Sequence, residues 1–188
     1  MARYLVSGIG ALVSDVAAVL REHGAEAVEV DDIADVPRAC ADAGPRAFDG
    51  YVQLAASFSV QGDSAVSRVH HFFADGVLAR FPAVAAALPC LVPGGRLTFV
   101  LGVLPREVSS EDDVAARAAL VRILGHAARA DAPEGLRITV LGSDSTPKEI
   151  ALTALGRGAE RGAATGELSD EEYAEWRMEL LAMMWAEA

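Results

Sequence analysis

Short strand-like segments alternate with helical segments along most of the chain, and this alternation constrains the fold more than any other feature. Apolar runs typical of strands cover residues 3–7, 25–30, 48–57, 96–103 and 135–142. Between them, apolar residues recur at helical spacing, most clearly over residues 12–23, 64–88 and 109–130. Parallel strands need long, usually helical crossovers, so this order predicts an α/β fold with a parallel sheet and helices on both faces.

One domain and a short appendage account for the length of the chain. With 188 residues, 52% of them hydrophobic, the chain can bury the core of one ordinary domain, which we place at residues 1–155. Residues 156–168 are rich in Gly and Ala and are predicted to form a loop or linker. Residues 169–188 begin with the capping-box pair Ser169 and Glu172 and are predicted to form a C-terminal amphipathic helix.

Charge excludes several classes of partner. The formal net charge is −11 and Lys148 is the only lysine, whereas nucleic-acid-binding proteins present basic faces. An anionic membrane surface would repel such a chain, and no run of about 18 unbroken apolar residues indicates a membrane span. The N-terminus lacks the pattern of a signal peptide. We therefore expect a cytoplasmic protein whose partners are small molecules or other proteins.

The residues that most often bind metals are too scattered to predict a metal site. Cys40 and Cys90 lack C-x-x-C spacing and are interpreted as two isolated buried thiols, without a disulfide framework. His70 and His71 are adjacent, so on a helix their side chains point about 100° apart and do not easily share a metal.

Four segments in order resemble the short-chain dehydrogenase/reductase (SDR) family. "FDGYVQLAAS" is similar to the family's fourth strand and "VHHFFADGVLARFPAVAAAL" to the next helix. "PGGRLTFVLG" is similar to the fifth strand, and "ARAALVRILGHAARADAPEGLRITVLGSDSTP" to the following helix and strand. The resemblance covers residues 3–150 and implies a Rossmann-like doubly wound parallel sheet. Because the family's last strand is not visible, the chain is identified as a degenerate and truncated member.

The resemblance also implies which residues should carry the family's carbonyl reduction, which uses a tyrosine, a lysine, a serine and an asparagine. Alignment places Asp113 at the tyrosine position, Arg117 at the lysine position and His70 at the asparagine position. An ionised Asp113 would repel a developing alkoxide, and Arg117 does not readily exchange protons. Asp113 and Arg117 are also compatible with an ordinary surface ion pair. We therefore do not expect the family's usual reaction.

The family's cofactor loop, Thr-Gly-x-x-x-Gly-x-Gly, is only partly matched. Ser7, Gly8 and Gly10 correspond to its start, and Asp31 or Asp32 is placed to take ribose hydroxyls. The later glycine positions are occupied by larger residues, Leu12, Val13 or Ser14. Their side chains are expected where the pyrophosphate should lie. We interpret the loop as a vestigial site, with no cofactor expected and NAD(P) as the alternative.

Three functional hypotheses are compatible with this partial match to the family's motifs. The first is a non-catalytic structural or regulatory subunit that dimerises with itself or with an active SDR relative, through the helices at residues 64–88 and 109–130. The second is an NAD(P)-dependent oxidoreductase, or another small-molecule enzyme, with an altered site formed by His70, Asp113 and Arg117. The third is a methyltransferase-like fold that binds S-adenosylmethionine.

Overall fold

A parallel sheet forms the centre of the structure, a computed structural model that describes residues 1–54, 62–101, 120, 121, 123–125, 127–129 and 131–157. The strands within this part of the chain are β1 (Arg3–Ser7), β2 (Glu26–Val30), β3 (Phe48–Gln53), β4 (Leu91–Val100) and β5 (Arg137–Leu141). They lie in the order β2-β1-β3-β4-β5, and each adjacent pair is parallel. The predicted doubly wound α/β fold is confirmed.

Helices cover both faces of this sheet. They are α1 (Ala11–Glu22), α2 (Val36–Ala43), α3 (Ala65–His71), α4 (Arg80–Ala87) and α5 (Pro147–Ala154). On one face, α1 and α5 pack over Val6 and Val52. On the other, α2, α4 and helical residues within 120–131 pack over Leu5 and Phe99. Because both faces are covered, the central strands β1 and β3 are buried along nearly their whole length.

The predicted helix at residues 64–88 is present but is not one regular α-helix. Between α3 and α4 lies a π-helical segment, Phe72–Leu78, and a short 3-10 helix, Leu88–Cys90, precedes β4. The sequence predicts a kink near Pro82, and in the structure the π-helical segment Phe72–Leu78 lies just before this proline. Proline cannot donate to the carbonyl of Leu78 and its ring would clash with that group, so widening the preceding turn relieves both problems.

The continuous helical segment Ala65–Cys90 is long and apolar enough, by length and composition alone, to cross a membrane. Its second half nevertheless packs on the sheet, since Ala83, Val84 and Ala87 of α4 are buried in the core. Covering the sheet therefore accounts for much of the apolar composition of this segment.

Helix α5 was not predicted from the sequence. Thr146 caps it through a reciprocal capping box with Glu149, and Pro147 lies in its first turn. The Thr-x-x-Glu pattern was therefore the available signal. The predicted helix at residues 169–188 lies outside the described residues, as do residues 158–168 of the predicted linker.

The order of the strands defines where a ligand would bind. After β1 the chain passes to β2 on one side, and β3 then pairs with the other side of β1. In open α/β sheets, ligands bind outside the carboxyl ends of the strands at such a switch point. The candidate site therefore lies where β1 and β3 end, at Ser7 and Gln53.

Candidate functional site

The loop between β1 and α1 contains two glycines with different surroundings. At Gly8 (φ 155°), an added Cβ would lie 2.6 Å from the Cβ of Leu54, so the backbone here is in close contact with the residue after β3. Gly10 (φ 76°) has nothing within 4 Å of the same position. Gly8 is therefore required for packing, whereas Gly10 leaves open space in front of α1.

The first turn of α1 faces this open space. Gly10 is its N-cap residue and offers no side chain, so no side-chain oxygen accepts a hydrogen bond from the first N–H groups. Such a terminus carries partial positive charge and suits an anion in principle. The backbone present is therefore compatible with a phosphate group.

The expected obstruction of the loop by bulky side chains was wrong. Val13 is fully buried in the core beneath α1, and Leu12 is half-buried against the same cluster. Ser14 is exposed, and its hydroxyl donates to Glu29 Oε2 at 2.9 Å. Because α1 begins only three residues beyond Gly8, these side chains point to the sheet or to β2 rather than into the loop.

The two aspartates after β2 have different roles. The Oδ1 atom of Asp32 accepts a hydrogen bond of 2.9 Å from the backbone N–H of Ala34 and caps the short 3-10 helix Ile33–Asp35. Asp31 is exposed and makes no hydrogen bond or ion pair with another described residue. Of the two, Asp31 is therefore the carboxylate that remains able to bind a ribose hydroxyl.

Four buried polar side chains meet at the carboxyl ends of the strands: Ser7, Tyr51, Gln53 and Arg80. The hydroxyl groups of Ser7 and Tyr51 lie 2.7 Å apart, and Gln53 Nε2 donates to the Tyr51 hydroxyl at 3.1 Å. Gln53 Nε2 also donates to the carbonyl oxygen of Arg80 at 3.2 Å. We call these four residues the strand-end network.

Arg80, at the start of α4, connects the strand-end network to two strands. Its Nε donates to Gln53 Oε1 at 2.8 Å, and its Nη2 donates to the carbonyl oxygens of Gln53 and Val100 at 3.1 and 3.0 Å. The guanidinium carbon lies 5.7 Å from the centre of the Phe99 ring. Arg80 thus binds carbonyl groups at the last residues of β3 and β4, where the strand ladder stops.

Burial raises the pKa of the Tyr51 hydroxyl to about 12, although the hydrogen bonds from Ser7 and Gln53 and the positive charge of Arg80 act in the opposite direction. The Tyr51 hydroxyl is therefore protonated near neutral pH. The Ser7 hydroxyl, predicted from the sequence to bind a cofactor, faces the interior and is hydrogen-bonded to this group.

Replacing Tyr51 with phenylalanine is expected to reduce the loss of stability at alkaline pH. Since the pKa of Tyr51 is higher in the folded chain than in the unfolded chain, its contribution is complete below about pH 10 and is lost as pH rises towards about 12. Between about pH 9 and about pH 11, the free energy of unfolding should fall by about 1 kcal/mol more for the wild type than for Tyr51→Phe. Urea unfolding at both pH values measures this, and equal losses would contradict it.

The three residues predicted to be catalytic are not assembled at this site by the described part of the structure. His70 is exposed on α3, with its ring centre 5.7 Å from that of His71. Asp113 and Arg117 lie outside the described residues. The helix residue that reaches the strand ends is instead Arg80.

Sequence reasoning missed most of the strand-end network. Tyr51 and Gln53 alternate with apolar residues on β3, and Arg80 interrupts an otherwise apolar helix. A charged residue within such a helix was the available signal, because a buried charge requires partners. The described residues contain no group of three or more His, Cys, Asp or Glu side chains that could hold a metal.

The topology, the glycine loop and the switch point define a Rossmann-like doubly wound α/β fold. No family model and no curated protein sequence matches the chain. Solved structures do match. The protein lin1944 from Listeria innocua has a TM-score of 0.61 at 18% identity, over 88% of this chain and 97% of that chain.

Two other solved structures connect the fold to the SDR family. A variant of the Serratia marcescens short-chain dehydrogenase/reductase has a TM-score of 0.59 at 17% identity, over 84% of this chain and 90% of that chain. BdcA in complex with NADPH has a TM-score of 0.54 at 19% identity, over 85% and 88% of the two chains. The chain has an SDR-like fold, as the resemblance implied.

Proposed function

We propose that this chain is a non-catalytic structural or regulatory subunit with an SDR-like fold. The observation that carries the proposal is the strand-end network, in which polar groups at the carboxyl edge are hydrogen-bonded to one another in the interior. A catalytic acid or base must reach its substrate and have a pKa near the working pH. Tyr51 is buried and its pKa is raised to about 12, so it meets neither condition.

The packing of Leu54 on Gly8 supports the same proposal. Leu54 is buried at the switch point, where the backbone of an SDR-like fold would approach a ligand. In this chain the close approach at Gly8 is made to the protein's own side chain. The glycine is explained by packing without any cofactor.

An NAD(P)-dependent oxidoreductase with an altered site is the second candidate. The open space at Gly10, the uncapped start of α1 and the free carboxylate of Asp31 favour it, because together they suit a phosphate and a ribose. His70, Asp113 and Arg117 would then be the residues to test for catalysis. The NADPH bound to BdcA makes this cofactor a reasonable ligand to test first.

Calorimetric titration with NADH, NADPH and S-adenosylmethionine discriminates between these candidates. If the chain is a non-catalytic subunit, none of the three should give saturable binding in the micromolar range. The matched control is Gly10→Leu, which places a side chain in the open space before α1. Micromolar binding by the wild type that is lost in Gly10→Leu would contradict the proposal and favour the enzyme.

An exposed apolar stripe on the helical segment Ala65–Cys90 supports dimerisation through this segment. Leu78 is 51% exposed, and Pro82 and Ala85, four and seven residues further along, are also exposed; Val66, 80% exposed, adds apolar surface nearer the start of the segment. Apolar side chains of this kind, aligned on one helix, are typical of protein–protein contacts.

A charge introduced in this stripe should therefore weaken self-association. We expect Leu78→Glu to raise the dimer dissociation constant at least about tenfold, because a carboxylate would be buried without a partner. Ala18→Glu on the exposed side of α1 is the control and should leave the constant unchanged. Sedimentation equilibrium measures both, and a Leu78→Glu dimer as stable as the wild type would exclude this interface.

A further inference from the structure

Cys40 and Cys90, far apart in sequence, come together in the structure. Cys40 lies on α2, and Cys90 ends the short 3-10 helix before β4. The Cys90 thiol donates to the carbonyl oxygen of Cys40 at 3.5 Å. The prediction that both cysteines are buried thiols is confirmed, but the two are neighbours in space and are not isolated from each other.

The two thiols line the same surface pocket. Its volume is about 360 Å³, it is open to solvent, and its other walls include Pro37, Pro45, Ala86 and Pro89. Cys40 and Cys90 are 3% and 6% exposed, so they lie at the base of the pocket rather than on its rim. A small thiol reagent thus has an approach to two thiols that lie close together on the wall of one pocket.

We propose that Cys40 and Cys90 are a redox modification site that forms a reversible intramolecular disulfide. The oxidant is a small-molecule disulfide such as oxidised glutathione. The fold holds the two cysteines close together, which raises the effective concentration of each thiol at the other relative to the unfolded chain. The pair therefore oxidises as a unit.

The exchange takes place in two balanced steps. In the first, the thiolate of Cys90 attacks the small disulfide, a mixed disulfide forms at Cys90, and one small thiolate leaves. In the second, the thiolate of Cys40 attacks the Cys90 sulfur and releases the second small thiolate. The two small thiolates take up the two cysteine protons, so the protein loses two electrons and the small disulfide gains them.

The order of the two steps follows from the surroundings of the sulfur atoms. Cys90 is the more exposed of the two. Burial, and then the neighbouring Cys90, raise the pKa of the Cys40 thiol to about 12, which disfavours Cys40 as the first nucleophile near neutral pH. Oxidation should therefore be slow at neutral pH and become faster as pH rises.

The disulfide would covalently join α2 to the 3-10 helix before β4, two segments already linked by the hydrogen bond from Cys90 to Cys40. Cys40 and Cys90 are 50 positions apart, so the crosslink closes a long loop that contains all of β3. Crosslinks of long loops stabilise a fold mainly by restricting the unfolded chain. Oxidation is expected to raise the midpoint of thermal unfolding by about 10 °C.

The test compares the redox equilibrium of the native chain with that of the urea-denatured chain in glutathione buffers. After acid quenching and alkylation, mass spectrometry counts free thiols, mixed disulfides and intramolecular disulfides. We expect the native chain to form the intramolecular disulfide at a glutathione ratio at least about tenfold more reducing than the denatured chain needs. An equal or more oxidising ratio, or a mixed disulfide as the final native product, would overturn the proposal.

Single variants test the order of attack independently. In Cys40→Ser, the mixed disulfide at Cys90 should accumulate because no second thiol can resolve it. In Cys90→Ser, reaction at Cys40 should be at least about tenfold slower, since burial raises the pKa of the Cys40 thiol and less of it is present as thiolate. Faster reaction of Cys90→Ser than of Cys40→Ser would reverse the assigned order. The wild-type comparison decides the disulfide itself even if either variant folds poorly.

Discussion

Replacing Arg80 with methionine is expected to lower the free energy of unfolding by about 3–5 kcal/mol. The guanidinium group donates to Gln53 Oε1 and to the backbone carbonyls of Gln53 and Val100. Methionine retains much of the length of the side chain but none of its donors. The buried carbonyl groups would then lose hydrogen bonds that water cannot replace, and this accounts for the size of the effect.

The matched control for Arg80→Met is Arg38→Met. Arg38 lies on the exposed side of α2 and, within the part of the chain that the structure describes, pairs with Asp35 at 3.2 Å across one helical turn. Such surface pairs contribute little, so this variant should change stability by less than about 0.5 kcal/mol. Urea unfolding followed by circular dichroism measures both. A loss of under about 1 kcal/mol for Arg80→Met would show that Arg80 is not needed at the strand ends.

Replacing Gly8 with alanine should also destabilise the protein, by about 3 kcal/mol. Two effects contribute. The alanine would have to adopt a positive φ of 155°, and its Cβ would lie 2.6 Å from the Cβ of Leu54. The contact is made near the backbone of Leu54 and not at the flexible end of its side chain, so relief requires β1 and β3 to shift. The measurement is again the free energy of unfolding.

Gly10→Ala separates the two effects, because Gly10 also has a positive φ but has open space at the Cβ position. It should cost about 1 kcal/mol, the strain alone. In the double variant Gly8→Ala with Leu54→Gly, the second change removes the Cβ that clashes. The two losses should then be less than additive. Equal losses for Gly8→Ala and Gly10→Ala, or strict additivity, would rule out the proposed contact.

The sheet was predictable from sequence because its signal is local and repeated. Each strand is an apolar run of a few residues, and each crossover shows helical spacing, so their order suffices to indicate a doubly wound α/β fold. The start of α2 was also predictable from local chemistry, because Pro37 is favoured in the first turn of a helix. The cysteine pair was not, because the contact between α2 and the short 3-10 helix Leu88–Cys90 depends on how two distant segments pack.

Arg80 shows why the candidate site was harder to predict. The sequence was interpreted as a helix over residues 64–88 with a kink near Pro82, and the resemblance placed His70 at the family's asparagine position. The π-helical segment Phe72–Leu78 bonds each N–H one residue further back than an α-helix does, as in the 3.1 Å bond from Ala79 N to Ala74 O. It therefore rotates every later side chain relative to regular periodicity. Regular spacing could not indicate that Arg80 would face inward.

The charges on β2 affect how the sheet meets other molecules. In the described sheet β2 lies at one edge, and the carbonyl oxygen of Ala27 on this strand accepts a hydrogen bond from Arg21 Nη2 at 2.8 Å. The strand carries Glu26, which pairs with Arg3 at 2.9 Å, and Glu29, which pairs with Arg21 at 2.7 Å. Charged side chains on an edge strand discourage another strand from adding to it. These two ion pairs thus protect the protein from edge-to-edge aggregation and direct any association towards its helical faces.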